Sequence, residues 1–293
     1  MKTLLTAAVI LSACQSHKAV NHVDGDLLLK KEVYCTLGED IRTEKGYFGD
    51  KCDALLFTAL HDVSCGTIDL SNFHDAEGKF YRSPSHDCFP DESKSSISRD
   101  MLLGAMIAAH IAKDKSAIDA MIKYGESHNW IMGDYANEDG LSRVVMSPQL
   151  ISILYDIQKG ASAKLQSSDD VFVLNKGFEA HLDVLRILLK GNLYGEISAI
   201  DLSILKAQSE RVPSNALFQA AYHKYLGDNQ TVAIALLKSA EYHPENALPT
   251  TENRCSGYIY QRDFGDDWKP CAGNRTHDGT DFLITYAVVT GIL

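Results

Sequence analysis

Several features that would announce a function are missing from this sequence. There is no C-x-x-C pair, and no His stands at zinc-ligand spacing from a Cys pair, so zinc is not expected. "NEDG" and "GDD" lack the spacing of an EF-hand, so no other metal is expected either. No G-x-S-x-G elbow, P-loop or H-E-x-x-H helix occurs, which leaves serine-hydrolase, nucleotide and zincin chemistry without support; no cofactor is implied. Basic charge is short: 28 Lys and Arg stand against 39 Asp and Glu, a net −11. With no basic surface in bulk, nucleic acid is excluded as an expected partner. No segment is apolar for long enough to span a bilayer. Strand signals are sparse, the best being "DDVFVLN" (169–175) and "SGYIYQ" (256–261).

What is present is helical. "CDALLFTALHDV" places Leu55, Leu56, Ala59, Leu60 and Val63 on one face, and "RDMLLGAMIAAHIA" does the same with Leu102, Leu103, Met106, Ile107 and Ala109. "SAIDAMIKYG" follows after Lys113-Asp114-Lys115, so the two predict a helical hairpin. "SPQLISILYDIQKG" has Ser147 as N-cap, Pro148 in the first turn and Gly160 as its stop. Further helices are expected in "HLDVLRILLKG", "ISAIDLSILKAQ", "PSNALFQAAYHKYLG", "QTVAIALLKSAEY" and "TDFLITYAVVTGIL". Five starts echo one another: Asp53-Ala-Leu-Leu, Asp100-Met-Leu-Leu, Pro148-Gln-Leu-Ile, Asn215-Ala-Leu-Phe and Asp281-Phe-Leu-Ile. They lie about 47, 48, 67 and 66 residues apart, room for a helix pair each time. The chain closes on an apolar helix with no polar cap, which favours a ring in which the last helix packs beside the first. The expected fold is therefore all-α, helical hairpins in an α/α toroid with long loops on one face.

The N-terminus carries its own signal. "MKTLLTAAVILSACQS" has Lys2, an apolar or small stretch from Leu4 to Ile10, and then Leu11-Ser12-Ala13-Cys14. The stretch is too short for a span and has the flanks of an export signal. Its ending resembles the bacterial lipobox. That resemblance implies a signal peptide over 1–13, a lipidated (palmitate-bearing) Cys14, a tether over 14–32 and one domain over 33–293. Gln15 stands where Asp would retain the protein at the inner membrane, so the resemblance implies the outer membrane, with the lipid as the membrane contact. Setting Cys14 aside leaves six cysteines: Cys35, Cys52, Cys65, Cys88, Cys255 and Cys271. In an exported domain they suit three disulfides. Proximity suggests Cys255–Cys271 and two bridges among the other four, the pairing there left open.

In a ring of hairpins the inner helices start at one end, where free N–H groups and the dipole gather. The loops leading into those starts are long and rich in chemistry. Residues 73–98 hold Arg82 and His86; 126–146 hold Trp130; 251–280 hold Arg254, Tyr258, Arg262, Trp268 and His277. Aromatics, Arg and carboxylates above helix starts suit a sugar: rings stack on it, Arg holds an acid group, and carboxylates do acid/base work. The arrangement resembles the α/α-toroid glycoside hydrolases and polysaccharide lyases at the level of architecture over about residues 50–293. The expected partner is a polysaccharide or cell-wall glycan, bound and cleaved.

The expected catalytic pair is Asp100 and Asp281, at equivalent points of echoing helices, with His277 as a third catalytic candidate. Arg82, His86, Trp130, Tyr258, Arg262 and Trp268 would line the cleft. A lyase would instead use a base such as His277, His86 or Tyr258 and a cation such as Arg82 or Arg254. The plain alternatives are that each Asp only complements a helix dipole, worth about 0.3–1 kcal/mol, and that the tryptophans are packing anchors. Asp53, beside Cys52, is read as structural. His110, His181, His223 and His243 are read as ordinary surface or core residues. Two rival functions remain: a non-catalytic surface lipoprotein that binds a glycan or protein, and an envelope assembly factor.

Overall fold

The computed structural model describes residues 24–45, 53–66, 68–86, 96–137, 140–160, 174–175, 179–239 and 279–293. Among them are ten helices: α1 (Gly25–Lys45), α2 (Ala54–Cys65), α3 (Arg99–Ala112), α4 (Lys115–Ser127), α5 (Pro148–Lys159), α6 (Ala180–Tyr194), α7 (Ala199–Arg211), α8 (Ala216–Leu226), α9 (Thr231–Lys238) and α10 (Thr280–Thr290). The described chain is mostly helical, as the periodicity predicts.

Local signals fix the ends. The Ser147 hydroxyl accepts from Leu150 N, Pro148 takes the first helical position, and Gly160 ends α5 in the left-handed region at φ 61°. Asn215 caps α8 through Phe218 N, and Ser198 caps α7 through Asp201 N. The five echoing starts are not in one register. Asp53 and Asn215 are N-caps and Pro148 is the first helical residue, whereas Asp100 and Asp281 are each the second, behind Ser98 and Gly279.

Two helices are buried all round. Every residue from Ala54 to Ser64 in α2, and from Thr280 to Val289 in α10, is buried. Both sequences are mostly apolar, and their polar residues, His61, Asp62 and Asp281 among them, are buried with the rest. Helix contacts run in a closed cycle: α2 packs on α3, α3 on α6, α6 on α8, α8 on α10, and α10 back on α2. The other helices flank this cycle; α1 lies against α2, α9 and α10, and α7 against α6 and α8.

Direction can be read from side chains. At their C-terminal ends α3, α6 and α10 meet at Asn192, which pairs with His110 Nε2 at 3.0 Å and donates to Ile292 O at 3.3 Å. Lys224, near the end of α8, donates to the carbonyl of Leu293. At the other end Arg99 pairs with Glu179, joining the starts of α3 and α6. Helices α3 and α6 therefore run in the same direction, their starts joined on one side and their ends on the other. Between them α7 returns antiparallel: Lys190 late in α6 meets Asp201 early in α7, and Gln208 late in α7 meets Asp183 early in α6.

Three expectations need correction. Helix α1 begins at Gly25, inside the stretch read as tether to residue 32; Leu27 is buried and Lys30 Nζ donates to Leu237 O at 3.2 Å, so this segment is docked. The loop holding Trp130 contains a hairpin, β1 (Ile131–Asn137) paired antiparallel with β2 (Gly140–Val145), in register Asp134↔Arg143 with an irregularity between Ile131 and Gly133. Leu174 and Asn175, at the end of the first expected strand, are not in a strand. The rest of that strand and residues 256–261 lie outside the described residues. Among the described residues one bridge is present, Cys35–Cys65, tying α1 to the end of α2 with Cα atoms 5.5 Å apart. Cys14, Cys52, Cys88, Cys255 and Cys271 lie outside the described residues.

Candidate functional site

The start of α2 and the segment leading into α3 are stitched together by one residue of the 68–86 segment. Arg82 O accepts from Leu55 N at 2.9 Å, and Arg82 N donates to Ser96 O at 2.9 Å. Its guanidinium donates from Nη1 to Asp53 Oδ1 at 3.0 Å, with both side chains mostly buried. Asp53 thus holds Arg82 rather than capping α2. Ser96 continues the chain of contacts into the hairpin, donating to Asp134 O while its hydroxyl accepts from Asp134 N.

Asp100 sits at the centre of this group. Its Oδ1 accepts from the Ser98 hydroxyl, and His181 Nε2 lies 3.8 Å from its Oδ2. Burial by itself would push the carboxyl up. The His181 contact and charge, the Ser98 hydroxyl and the Arg82 charge outweigh it and hold Asp100 down at about 2. About a fifth of its side chain reaches solvent, against 3% for His181. Asp100 is thus ionised at neutral pH. It can accept hydrogen bonds, or act as base or nucleophile, but it has no proton to give a leaving group.

Asp281 is placed differently. It is 2% exposed, and its Oδ1 accepts from Phe282 N. Its helix start packs on α1, with Phe282 against Tyr34 at 4.9 Å, and on the far end of α2, where Ser64 donates to Leu283 O. Arg82 and the Asp100 group gather at Leu55, and Leu283 at Ser64. Nine residues of α2 separate those anchors, about 14 Å along the axis. The structure therefore brings Arg82 and Asp100 together and ties Asp281 to the opposite end of α2.

The remaining candidates divide. His86 is exposed, adopts φ 60°, and stacks on Tyr81 at 3.9 Å between ring centres. The Tyr81 hydroxyl, pushed up to about 12 by burial and by its bond to Asp75, donates to Asp75 Oδ2 at 2.9 Å. Trp130 is a packing anchor: its ring lies on Gly125, where a Cβ would meet it at 2.4 Å, and edge-on to Tyr155. Tyr258, Arg262, Trp268 and His277 lie outside the described residues.

Beside Arg99 a cavity of about 250 Å³ opens among the starts of α3, α5 and α6 and the end of β2. Leu102, Leu150, Leu182 and Met146 form its apolar floor, and Arg99 and Arg186 supply positive charge. Arg186 is held by Gln149 Oε1 at 3.1 Å and Asp201 Oδ1 at 3.3 Å. A larger hollow of about 570 Å³ lies at the opposite, C-terminal end of α3, near His110, Lys113 and Lys159. The smaller one has the better claim, because it shares the helix-start end with Asp100 and Arg82. Sequence reasoning missed Arg99, Arg186 and the partnership of His181 with Asp100. Each was visible as a polar residue in the first two turns of an apolar helix, but its partner was not.

Among the described residues no group of His, Cys, Asp and Glu could hold a metal ion, and no helix is long and apolar enough to cross a membrane. Comparison with protein-family models, with curated proteins and with solved structures finds no match to this chain.

Proposed function

We propose that this chain is an exported lipoprotein, anchored to the outer membrane through Cys14, whose helices form an α/α toroid that binds an acidic polysaccharide or cell-wall glycan at its helix-start end. The toroid reading draws on the closed cycle of helix contacts and on the shared direction of α3 and α6. The glycan reading rests on one observation above all: the cavity at that end sets Arg99 and Arg186 over an apolar floor, with the carboxylate of Asp183 in its lining. An Arg pair suits the carboxylate of an acidic sugar, apolar side chains suit the face of its ring, and a carboxylate accepts from its hydroxyls.

Binding has more support than cleavage. Hydrolysis needs a proton donor as well as a carboxylate, and Asp100 is held too acidic to donate. Calorimetry against a panel of acidic and neutral glycans tests the reading. Saturable binding to acidic chains, lost in Arg99→Ala/Arg186→Ala, is the expected result. No binding to any acidic glycan overturns it, and release of reducing ends or unsaturated products would restore the catalytic version.

A further inference from the structure

The disulfide carries a feature that a structural bridge does not require. Cys65 Sγ lies 3.6 Å from Nε2 of His61, one helical turn earlier on α2. The other ring nitrogen of His61 is 3.0 Å from Asp62 Oδ1. Histidine and aspartate are 2% and 0% exposed, whereas Cys35 and Cys65 are only partly buried, so the cystine lies nearer the surface than the imidazole–carboxylate pair. The ring is fitted closely to its place. On α1, a Cβ at Gly38 would stand 1.9 Å from His61 Nε2, so only glycine leaves room for the ring.

This order of groups, sulfur then imidazole then buried carboxylate, is that of an activated thiol. A carboxylate on Nδ1–H orients the ring and leaves Nε2 facing the sulfur. A Cys beside a cationic imidazole has a depressed thiol pKa and becomes a better leaving group and nucleophile. On α1 the charged residues Lys31, Glu32 and Glu39 stand within about one turn of Cys35. The only imidazole in contact with Cys65 Sγ among the described residues is that of His61.

We propose that Cys35–Cys65 is a redox-active bridge, and that its reduction by a dithiol uncovers a Cys65–His61–Asp62 nucleophile. A thiolate of the dithiol attacks Cys35 Sγ, the S–S bond breaks, and Cys65 leaves as thiolate. The second thiol of the reductant then attacks the mixed disulfide, releasing Cys35 and the oxidised, cyclic reductant. Two electrons pass to the protein. Of the two protons, one ends on Cys35 and one on His61 Nε2, giving a thiolate–imidazolium pair.

The test uses the full chain with Cys35→Ser, which leaves Cys65 as a thiol, alone and combined with His61→Gln. Iodoacetamide labelling of the Cys65 peptide is followed by mass spectrometry at pH 6.5. The expected result is that Cys35→Ser labels at least about tenfold faster than the double variant. Equal rates, or no labelling of Cys65 in either, overturn the proposal. Should circular dichroism show that Cys35→Ser is unfolded, the bridged wild-type chain and His61→Gln are equilibrated with dithiothreitol buffers instead. The bridge must then become harder to reduce in His61→Gln; an unchanged midpoint overturns the proposal.

Discussion

His181 Nε2 lies 3.8 Å from Asp100 Oδ2, which links the start of α6 to the start of α3. The contact sets the charge state of the site, because it is the largest influence opposing the effect of burial on Asp100. A carboxyl held at about 2, against an ordinary 3.8, contributes stability that is fully present above pH 3.8 and is lost as pH falls through 2. The shift corresponds to about 2 kcal/mol. Asp100→Asn should therefore lose about that much stability at neutral pH and show a flatter stability profile between pH 4 and 2. Urea unfolding across that range measures it; an unchanged profile would show that the His181 contact does not stabilise the Asp100 carboxylate.

His110 titrates in a different window. Burial lowers its pKa, and the bond to Asn192 only partly restores it. A histidine depressed in the folded state stabilises above its unfolded pKa of about 6.5, and that stability is lost as pH falls through the folded value. The melting temperature of the wild type should fall between pH 7 and 5, and His110→Gln should fall less. Parallel curves for the two proteins would assign the acid loss elsewhere.

Lys190 and Asp201 form an ion pair at 3% and 0% exposure, with Arg186 on the second oxygen. Breaking a buried pair leaves an uncompensated charge. Asp201→Ala should cost about 3–5 kcal/mol, while Lys190→Met/Asp201→Leu should recover most of it. Because Arg186 leans on Asp201, Asp201→Ala should also weaken glycan binding, which calorimetry on the folded fraction would read.

Helix capping offers a check independent of the site. Asn215 is buried and caps α8 through Phe218 N at 3.2 Å. Asn215→Ala should lower stability by about 1–2 kcal/mol, whereas Asn215→Asp or Asn215→Ser should lose less, in chemical denaturation.

Much of the helix layout was legible because its causes are local. Ser147, Pro148 and Gly160 bracket α5 through bonds to residues within four positions. Helix α1 was not legible: "GDLLLKKEVYCTLGEDIRTEK" has little amphipathic contrast, and it is docked by separate contacts to α2, α9 and α10 rather than by one apolar stripe. The hairpin of β1 and β2 hid for a related reason. Gly133 and the irregularity beside Ile131 interrupt the alternation that marks a strand.

The sequence by itself determined the helical class, the positions of most helix starts and stops, the acidic balance and the set of cysteines available to bridge. These follow from backbone chemistry within one or two turns. Only the tertiary structure decided which starts meet. It placed Arg82 against Asp53, gave Asp100 to His181, and tied Asp281 to the far end of α2. It also paired Cys35 with Cys65 beside His61. Equivalent positions on echoing helices look alike along the chain, but the packing of α2 between α3 and α10 gives them different neighbours. Those neighbours, through burial and charge, set what each carboxylate can do.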